Sequence, residues 1–530
     1  MHCSSVRARI CDTLLSIALA RIVVASIALL IANASAPASA QPLTLPDAVW
    51  QDGASWESDL ERYGVPLGAD TGLWRVRRNP AGLSTAVLPH KGWVALSLAD
   101  VDGDLHRPQH PSGLQLARLR SEGAAELSGW QTYGAFAYTR RNDRRVEWSA
   151  ISDPHDRRAY VWADSIGGAW YRNHVDLEAA LGSPQWRDRL SGGLRVQYRV
   201  GQGARRNDPR PQYRFRTLDV RPGLALAVHP KHQVGIHGVL RWRLEENEFG
   251  LFTTDDPFVY RLRGYGTFDR AQIVRGERET AGSRYGGSIQ YAGRTSTWQW
   301  DAGIAYTSGE DEVRDGIRAP VFGGRHRVQE VQFSGSVHRP RATLSSQVRV
   351  DAGWWEGQGT DPVFQAVNVI SEDAYLQVDL GLWNGEQRAD APWGVEGTAR
   401  VDDLLRRDVV SQTEWSVTTL QTALRGWIQQ RISSQFMMRA RPHVEYRQPV
   451  AESYEARAPT RLTDAVVHPD YMYYSTAHWS AGIQAGIGWQ PSDAASDRIR
   501  WSVAGDYSQA EVPVNASRRA LRITIQVLAP

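Results

Sequence analysis

Over most of this chain apolar and polar residues alternate with a period of two, in stretches of roughly ten to fourteen residues. Gln233–Leu244 is the clearest case. Val234, Ile236, Leu240, Trp242 and Leu244 share one face; Gln233, His237, Arg241 and Arg243, then Glu245, share the other. A strand shows this pattern when one face meets apolar surroundings and the other meets water.

The connections alternate too. Tight turns are predicted near 121–126, 182–189, 229–232, 292–295, 338–341, 384–391, 430–434 and 490–497, many of them carrying Gly, Pro, Asn or Asp. Longer, more polar connections fall at 140–159, 202–212, 246–282, 309–326, 356–372 and 450–471. Eight tight turns join sixteen strands, and a first strand near Gly92–Val101 with a last near Ala520–Val527 makes eighteen. The predicted fold class is all-β: a transmembrane antiparallel β-barrel of about 18 strands, with 14 and 16 as alternatives, short periplasmic turns and long external loops.

The beginning of the chain reads as an export signal. Arg7, Arg9 and Arg21 give a positive start, Ile22–Ala32 is an apolar run, and Ala38-Ser39-Ala40 is a small-residue cleavage site, with Ala34-Ser35-Ala36 a second. That run is about half the ~20 residues a spanning helix needs. No later segment comes closer, so membrane residence requires a closed sheet that satisfies its own backbone. The expected domains are a cleaved signal peptide at 1–40, a periplasmic or lumenal segment at 41–91, and an outer-membrane barrel at 92–530. The middle segment holds Pro42, Pro46, Pro66, Pro80 and Pro89, which argues against a long helix or central strand. At the other end Leu521, Ile523, Ile525 and Val527 alternate with Arg522, Thr524 and Gln526. The chain then ends in Leu528-Ala529-Pro530 and not in the aromatic residue that barrel assembly machinery usually reads.

Composition narrows the chemistry. Cys3 and Cys11 are the only cysteines and both lie in the signal, so the mature chain has no thiol for a disulfide, zinc or nucleophilic catalysis. Twenty-one tryptophans and 19 tyrosines suit aromatic girdles where lipid meets water. The net charge of +3 becomes about +1 without the signal, which argues against a nucleic-acid partner. The only lysines are Lys91 and Lys231, so arginine carries the positive charge.

Two local resemblances stand out. Asn79-Pro80-Ala81-Gly82-Leu83 resembles the Asn-Pro-Ala-Gly stretch near the start of fatty-acid-transporter-like barrels; the same residues also read as an ordinary Asn-Pro turn before the first strand. The second runs from Gly192-Gly193-Leu194-Arg195-Val196-Gln197-Tyr198-Arg199 to Asn207-Asp208-Pro209-Arg210-Pro211. It continues through Leu218, Val220 and Pro222-Gly223-Leu224, with Gly264-Tyr265-Gly266-Thr267-Phe268 beyond. This is similar to an uncharacterised outer-membrane barrel family common among Bacteroidota, in which a strand ending in Tyr precedes an Asp-Pro-Arg-Pro loop. The resemblance implies the fold and carries over no substrate or catalytic residue. Physically, Asp208, Pro209, Arg210 and Pro211 form a stiff external loop, either a simple brace or one that turns Arg210 over the mouth.

If the apolar faces meet lipid, Arg195, Arg199, Arg241, Arg243, Arg349, Arg400, Arg439, Arg441, Arg498, Arg500 and Arg522 face the lumen. Glu245, Asp301, Asp351, Asp379, Glu396, Asp402 and Asp506 join them. One reading is a passage for anionic solutes, because guanidinium groups bind carboxylate and phosphate in pairs of hydrogen bonds. The favoured reading is a network that ties neighbouring strands together. The connection 246–282 reads first as a solvated surface loop; the alternatives are a loop that caps or constricts the pore or one that contacts a partner, with Val259–Arg263 able to extend a strand above the membrane.

No Gly-x-Ser-x-Gly, His-Glu-x-x-His or Gly-x-x-x-x-Gly-Lys pattern occurs, so no catalytic, cofactor-binding or metal residues are assigned and no cofactor is expected. His229 and His232 share a turn, which alone does not make a metal site. The function expected is a porin-like channel for a small anionic or amphipathic solute. The alternatives are a non-conducting barrel serving a binding or assembly complex and, lastly, an outer-membrane hydrolase. The expected partners are outer-membrane lipid, the barrel assembly machinery and a small solute.

Overall fold

The computed structural model describes residues 72–74, 78–86, 92–250, 258–272, 275–316, 318–341, 343–384, 393–489, 500–511 and 516–529. The expected signal peptide and cleavage sites, most of 41–91, all but Asn384 of the turn expected at 384–391, the turn expected at 490–497, and Arg498 lie outside the described residues.

Twenty-one strands are present among the described residues. They begin β1 (Gly92–Gly103), β2 (Gly113–Leu127), β3 (Trp130–Val146), β4 (Val161–Asp164), β5 (Gly168–Gly182), β6 (Leu190–Arg205) and β7 (Gln212–His229). There follow β8 (His232–Gly250), β9 (Phe258–Leu262), β10 (Phe268–Gln272), β11 (Arg275–Arg294), β12 (Gln299–Asp315), β13 (Val321–Arg339) and β14 (Leu344–Thr360). The last seven are β15 (Val367–Asn384), β16 (Trp393–Asp408), β17 (Thr413–Arg431), β18 (Phe436–Ala456), β19 (His478–Trp489), β20 (Arg500–Glu511) and β21 (Ser517–Ala529). Eighteen of these pair antiparallel, each with its neighbour in the chain, and β1 pairs with β21 (Leu96 opposite Ile525), closing the ring. The remaining three, β4, β9 and β10, form a separate small antiparallel sheet. The protein is thus a closed, all-antiparallel 18-stranded β-barrel. Among the described residues no helix is long and apolar enough to cross a membrane.

The period-two pattern sorts the two faces. Ile289 is 62% exposed and Ile304 51%, while Ser288 and Gln290, the neighbours of Ile289 in the chain, are buried. Outward aromatic residues fall at two levels. Trp130, Trp186, Trp298, Trp393 and Phe436 ring the end where β1 begins; Tyr138, Tyr198, Trp242, Tyr285, Tyr446 and Tyr507 lie further along their strands. At 3.4 Å per residue and the usual tilt, the band between them is about 20 Å tall. The strands run well past it, β11 for 20 residues and β18 for 21.

This overrun explains where sequence and structure differ. The connection expected at 309–326 shrinks to 316–320, because β12 and β13 continue as a charged ribbon in which Glu312 pairs with Arg325 (3.4 Å) and Glu310 with Arg327 (3.4 Å). Apolar alternation is needed only where one face is dry, so these segments looked like loop. The connections at 202–212 and 356–372 shorten in the same way, to 206–211 and 361–366. The turn expected at 121–126 lies at Ser128-Gly129, where both residues have positive φ (52° and 82°), as a two-residue hairpin requires.

Candidate functional site

The mouth at the far end from β1 is filled. Four connections meet there: 104–112; 147–167, which carries β4; residues 258–272, which carry β9 and β10; and 457–477, which carries the helix α1 (His468–Ser475). Their apolar side chains form one core with the inner wall. Trp148, Ile151, Val161, Tyr260, Leu262, Leu462 and Val467 pack with Leu404 of β16 and with Trp415 and Val417 of β17. Trp162 and Val259 pack on Phe249 of β8, and Tyr160 packs beside Val313 of β12 and Val369 of β15. Fully burying one such side chain stabilises by about 1.5–3 kcal/mol, so this cap is a folded unit and not a set of solvated loops.

Charge holds the cap to the wall. The buried Glu245 carboxylate of β8 accepts from the Ser152 amide (2.9 Å), Ser152 Oγ (2.7 Å), Arg158 Nη2 (2.6 Å) and Asn247 Nδ2 (3.1 Å). Asp164 in β4 pairs with Arg205 of β6 at 2.8 Å, both side chains fully buried. Arg157 reaches Asp373 of β15 at 2.9 Å. Arg263 reaches Asp361 at 2.8 Å, and Asp408 accepts from the Gly266 and Thr267 amides at 2.9 Å. Arg107 joins Asp470 of α1 at 2.8 Å. Burial opposes the charge on Asp156, but Arg243 beside it, with Arg199 and Arg284 further off, holds its carboxyl below the ordinary carboxylate range.

Near the other end a 3-10 turn, Pro80–Thr85, sits inside the ring against β5, β6 and β7. Asn79 caps it. Its Oδ1 accepts from the Ala81 amide (3.1 Å), and its Nδ2 donates to Gln290 Oε1 (2.7 Å) and to the Ile236 carbonyl (3.3 Å). Ser191 Oγ donates to the Ala81 carbonyl at 3.1 Å. The seat is made of glycine. A Cβ on Gly193 would stand 2.4 Å from the Pro80 carbonyl carbon, and one on Gly223 would stand 2.3 Å from Asn79 Oδ1. The Asn-Pro-Ala-Gly-Leu stretch is therefore an inner turn bonded to the wall.

Of the arginines expected in the lumen, five are paired: Arg195 with both oxygens of Glu178 (2.7 and 2.6 Å), Arg241 with Asp219 (2.8 Å), Arg243 with Asp156, Arg400 with Asp402 (2.6 Å) and Arg522 with Asp506 (2.9 Å). Asp219 also receives Arg221 (2.7 Å). Arg439 lies over the Trp427 ring, 5.4 Å from its centroid. Arg199, Arg349 and Arg441 form no ion pair with a described residue; in register Arg349 stands opposite Asp379 and Arg441 opposite Gln484. Arg500 lies in β20, and its side chain is not among those described. Most of the wall's charge is thus compensated by near neighbours.

In the loop Asp208-Pro209-Arg210-Pro211, Arg210 Nε donates to Asp208 Oδ1 at 2.8 Å, and the Pro209 carbonyl accepts from the Gly250 amide at 3.0 Å. The loop is fastened to the end of β8. Sequence reasoning favoured a solvated loop for 246–282, with a cap over the pore as the alternative, whereas Val259, Tyr260 and Leu262 are buried in a shared core; it also missed the partners 147–167 and 457–477. A signal was present: Trp148, Trp162, Tyr471, Tyr473 and Tyr474 are too aromatic for solvated loops.

A family model described as a family of unknown function (DUF6850) matches residues 80–528. The chain belongs to that family. A search of curated proteins finds no match to this DUF6850 chain. Among solved structures it is similar to the toluene transporter TbuX of Ralstonia pickettii, at 11% identity, with 86% of this chain and 92% of that one covered and a TM-score of 0.30. It is likewise similar to a FadL homologue of Pseudomonas aeruginosa, at 11% identity, with coverage of 85% and 92% and a TM-score of 0.31. A third is the ferripyoverdine receptor of the P. aeruginosa outer membrane, at 7% identity, with coverage of 83% and 72% and a TM-score of 0.39. Likeness at this level gives no information on ligand or mechanism.

Proposed function

We propose that this chain is an outer-membrane β-barrel of a Gram-negative bacterium that handles a small solute through a lumen closed at rest. The outward apolar band with its two aromatic levels supports the membrane reading. The tight connections at the β1 end then face the periplasm and the cap faces outside. On this reading residues 1–40 are removed on export, the assembly machinery inserts the mature chain, and no catalytic role is assigned.

One observation carries the functional reading: the mouth is filled by a packed, ion-paired cap. An open general pore has a wet, unobstructed mouth, whereas this one must move or rearrange before anything passes. The paired inner arginines do not favour a simple anion path, and the solute stands as a polar or amphipathic small molecule.

Planar-bilayer recording of the refolded mature chain tests this. Silence at rest, with discrete openings once the cap is loosened, is the expected result. Large steady openings from the unaltered chain overturn it. Silence from both the unaltered and the loosened chain favours the second reading, a barrel that anchors the cap as a binding surface, which the same ion pairs support.

A further inference from the structure

We infer that the outward wall of β6, β7, β8, β11 and β12 carries a specific site for one acyl chain of a membrane lipid. This rests on the membrane reading above. The site is a groove of about 1010 Å³, lined by Pro222, Leu224, Ile236, Gly238, Ile289 and Tyr306 among others. It lies between the two aromatic levels and is continuous with the exposed aliphatic band on either side.

The local sequence makes the groove. Single glycines interrupt the band elsewhere, as at Gly397 and Gly505, but here Pro222, Gly238 and Gly287 follow one another across three strands, with Tyr306 next in register. Pro222 has no N–H, and the ladder between β7 and β8 passes from Val220 opposite Leu240 to Gly223 opposite His237, leaving Arg221 and Pro222 out. The floor is therefore backbone and a proline ring, and the rims are Leu224, Ile236 and Ile289. A void of this kind forfeits dispersion contacts along its whole lining. Water is a poor occupant of an apolar trough, and a methylene chain regains those contacts without bringing a polar group. The bilayer supplies that chain at high concentration.

Glycine here is not demanded by crowding. A Cβ on Gly238 would meet Pro222 Cγ at 3.5 Å, and one on Gly287 would meet the His237 carbonyl at 3.4 Å. Larger side chains can fill the groove from outside and leave the strands in place.

The experiment reconstitutes the mature chain in vesicles of phosphatidylethanolamine and phosphatidylglycerol, extracts it gently, and counts retained lipid by native mass spectrometry. The chain should keep a single lipid. Gly238→Leu with Gly287→Leu should lower its occupancy about tenfold by filling the trough. Gly397→Leu, on β16 where a Cβ meets open space, should leave it unchanged. Equal retention by all three, or none by the unaltered chain, overturns the site. So does recovery of a non-lipid apolar molecule in place of the lipid. Should the double variant lose the heat-modifiable gel shift of a folded barrel, Gly287→Leu alone is read in its place. A chain that fails to insert into vesicles refutes the membrane reading; one that inserts and holds no lipid refutes the groove alone.

Discussion

Replacing Glu245 by Ala tests the cap most directly. The carboxylate is fully buried and its partner Arg158 is 7% exposed, so the pair lies in a dry place. Deleting Glu245 leaves Arg158 only its longer contact to Asp156 at 3.6 Å, and breaking a buried pair of this kind costs up to about 3–5 kcal/mol. The Ser152 amide and hydroxyl lose their acceptor at the same time. The penalty falls on the closed cap, because Arg158 recovers water when the connection 147–167 lifts away. At 1.4 kcal/mol per factor of ten, the open population should rise by up to about a hundredfold to a few thousandfold. The barrel ladder is untouched. Glu245→Gln keeps acceptors for Ser152 and removes the charge, so its effect should be smaller. Two assays follow the change: bilayer recording, and trypsin cleavage at Arg157 and Arg158 in protein that keeps its heat-modifiable fold. Both variants should be cut faster, the Ala form most. If both remain as silent and as resistant as the parent, these contacts do not hold the mouth shut.

Further outcomes follow from the same geometry. Gly193→Leu should drive the Pro80 turn from its seat, at about 1–3 kcal/mol of overpacking, and be seen as faster maleimide labelling of a Thr85→Cys reporter than in the same reporter alone. Asn79→Ala should act in the same direction through about 1–3 kcal/mol of unmade hydrogen bonds to Gln290 and the wall carbonyl; unchanged labelling in both excludes the seat. Ile483→Arg, outward within the band, should lower unfolding stability in vesicles by about 2–4 kcal/mol, and a neutral result speaks against lipid on that face. His110, on the connection 104–112, meets His155 of the cap ring to ring at 4.1 Å; burial, then His155, Arg107, Arg141 and Arg518, hold its pKa well below 6.5. Opened chain takes up that proton first, so closure by this group is full above pH 6.5 and lost as pH falls below it. The loss is up to about 1.4 kcal/mol per pH unit. Trypsin resistance of the cap should fall between pH 7.5 and 5, and His110→Gln should flatten the response.

The barrel was legible because one apolar face and one polar face impose a period of two on every strand within the band. Its eighteen strands follow from Gly, Pro, Asn and Asp at the connections. Legibility stopped where that constraint ended. Above the band β12 and β13 are charged on both faces and resemble loop. The cap eluded reading for a different reason: Trp148, Tyr260 and Leu462 are far apart in sequence and meet only when the ring closes, so no local period marks their shared core. The four glycines around the inner turn, Gly182, Gly193, Gly223 and Gly235, were visible as letters, but not as a seat.

The inner turn also constrains the order of assembly. Asn79 bonds Gln290, 211 positions later, and both lie inside a ring that shuts only when β1 meets β21. Passing residues 79–85 through a finished wall would mean breaking its ladder. The segment therefore reaches its seat either through the end of the ring where β1 begins or by having the wall from β5 to β11 curl around it, as metal is formed on a mandrel. Contacts so distant in sequence are slow to form. Damage to the glycine seat should accordingly appear first as delayed insertion and accumulated precursor, and only afterwards as a weaker finished barrel.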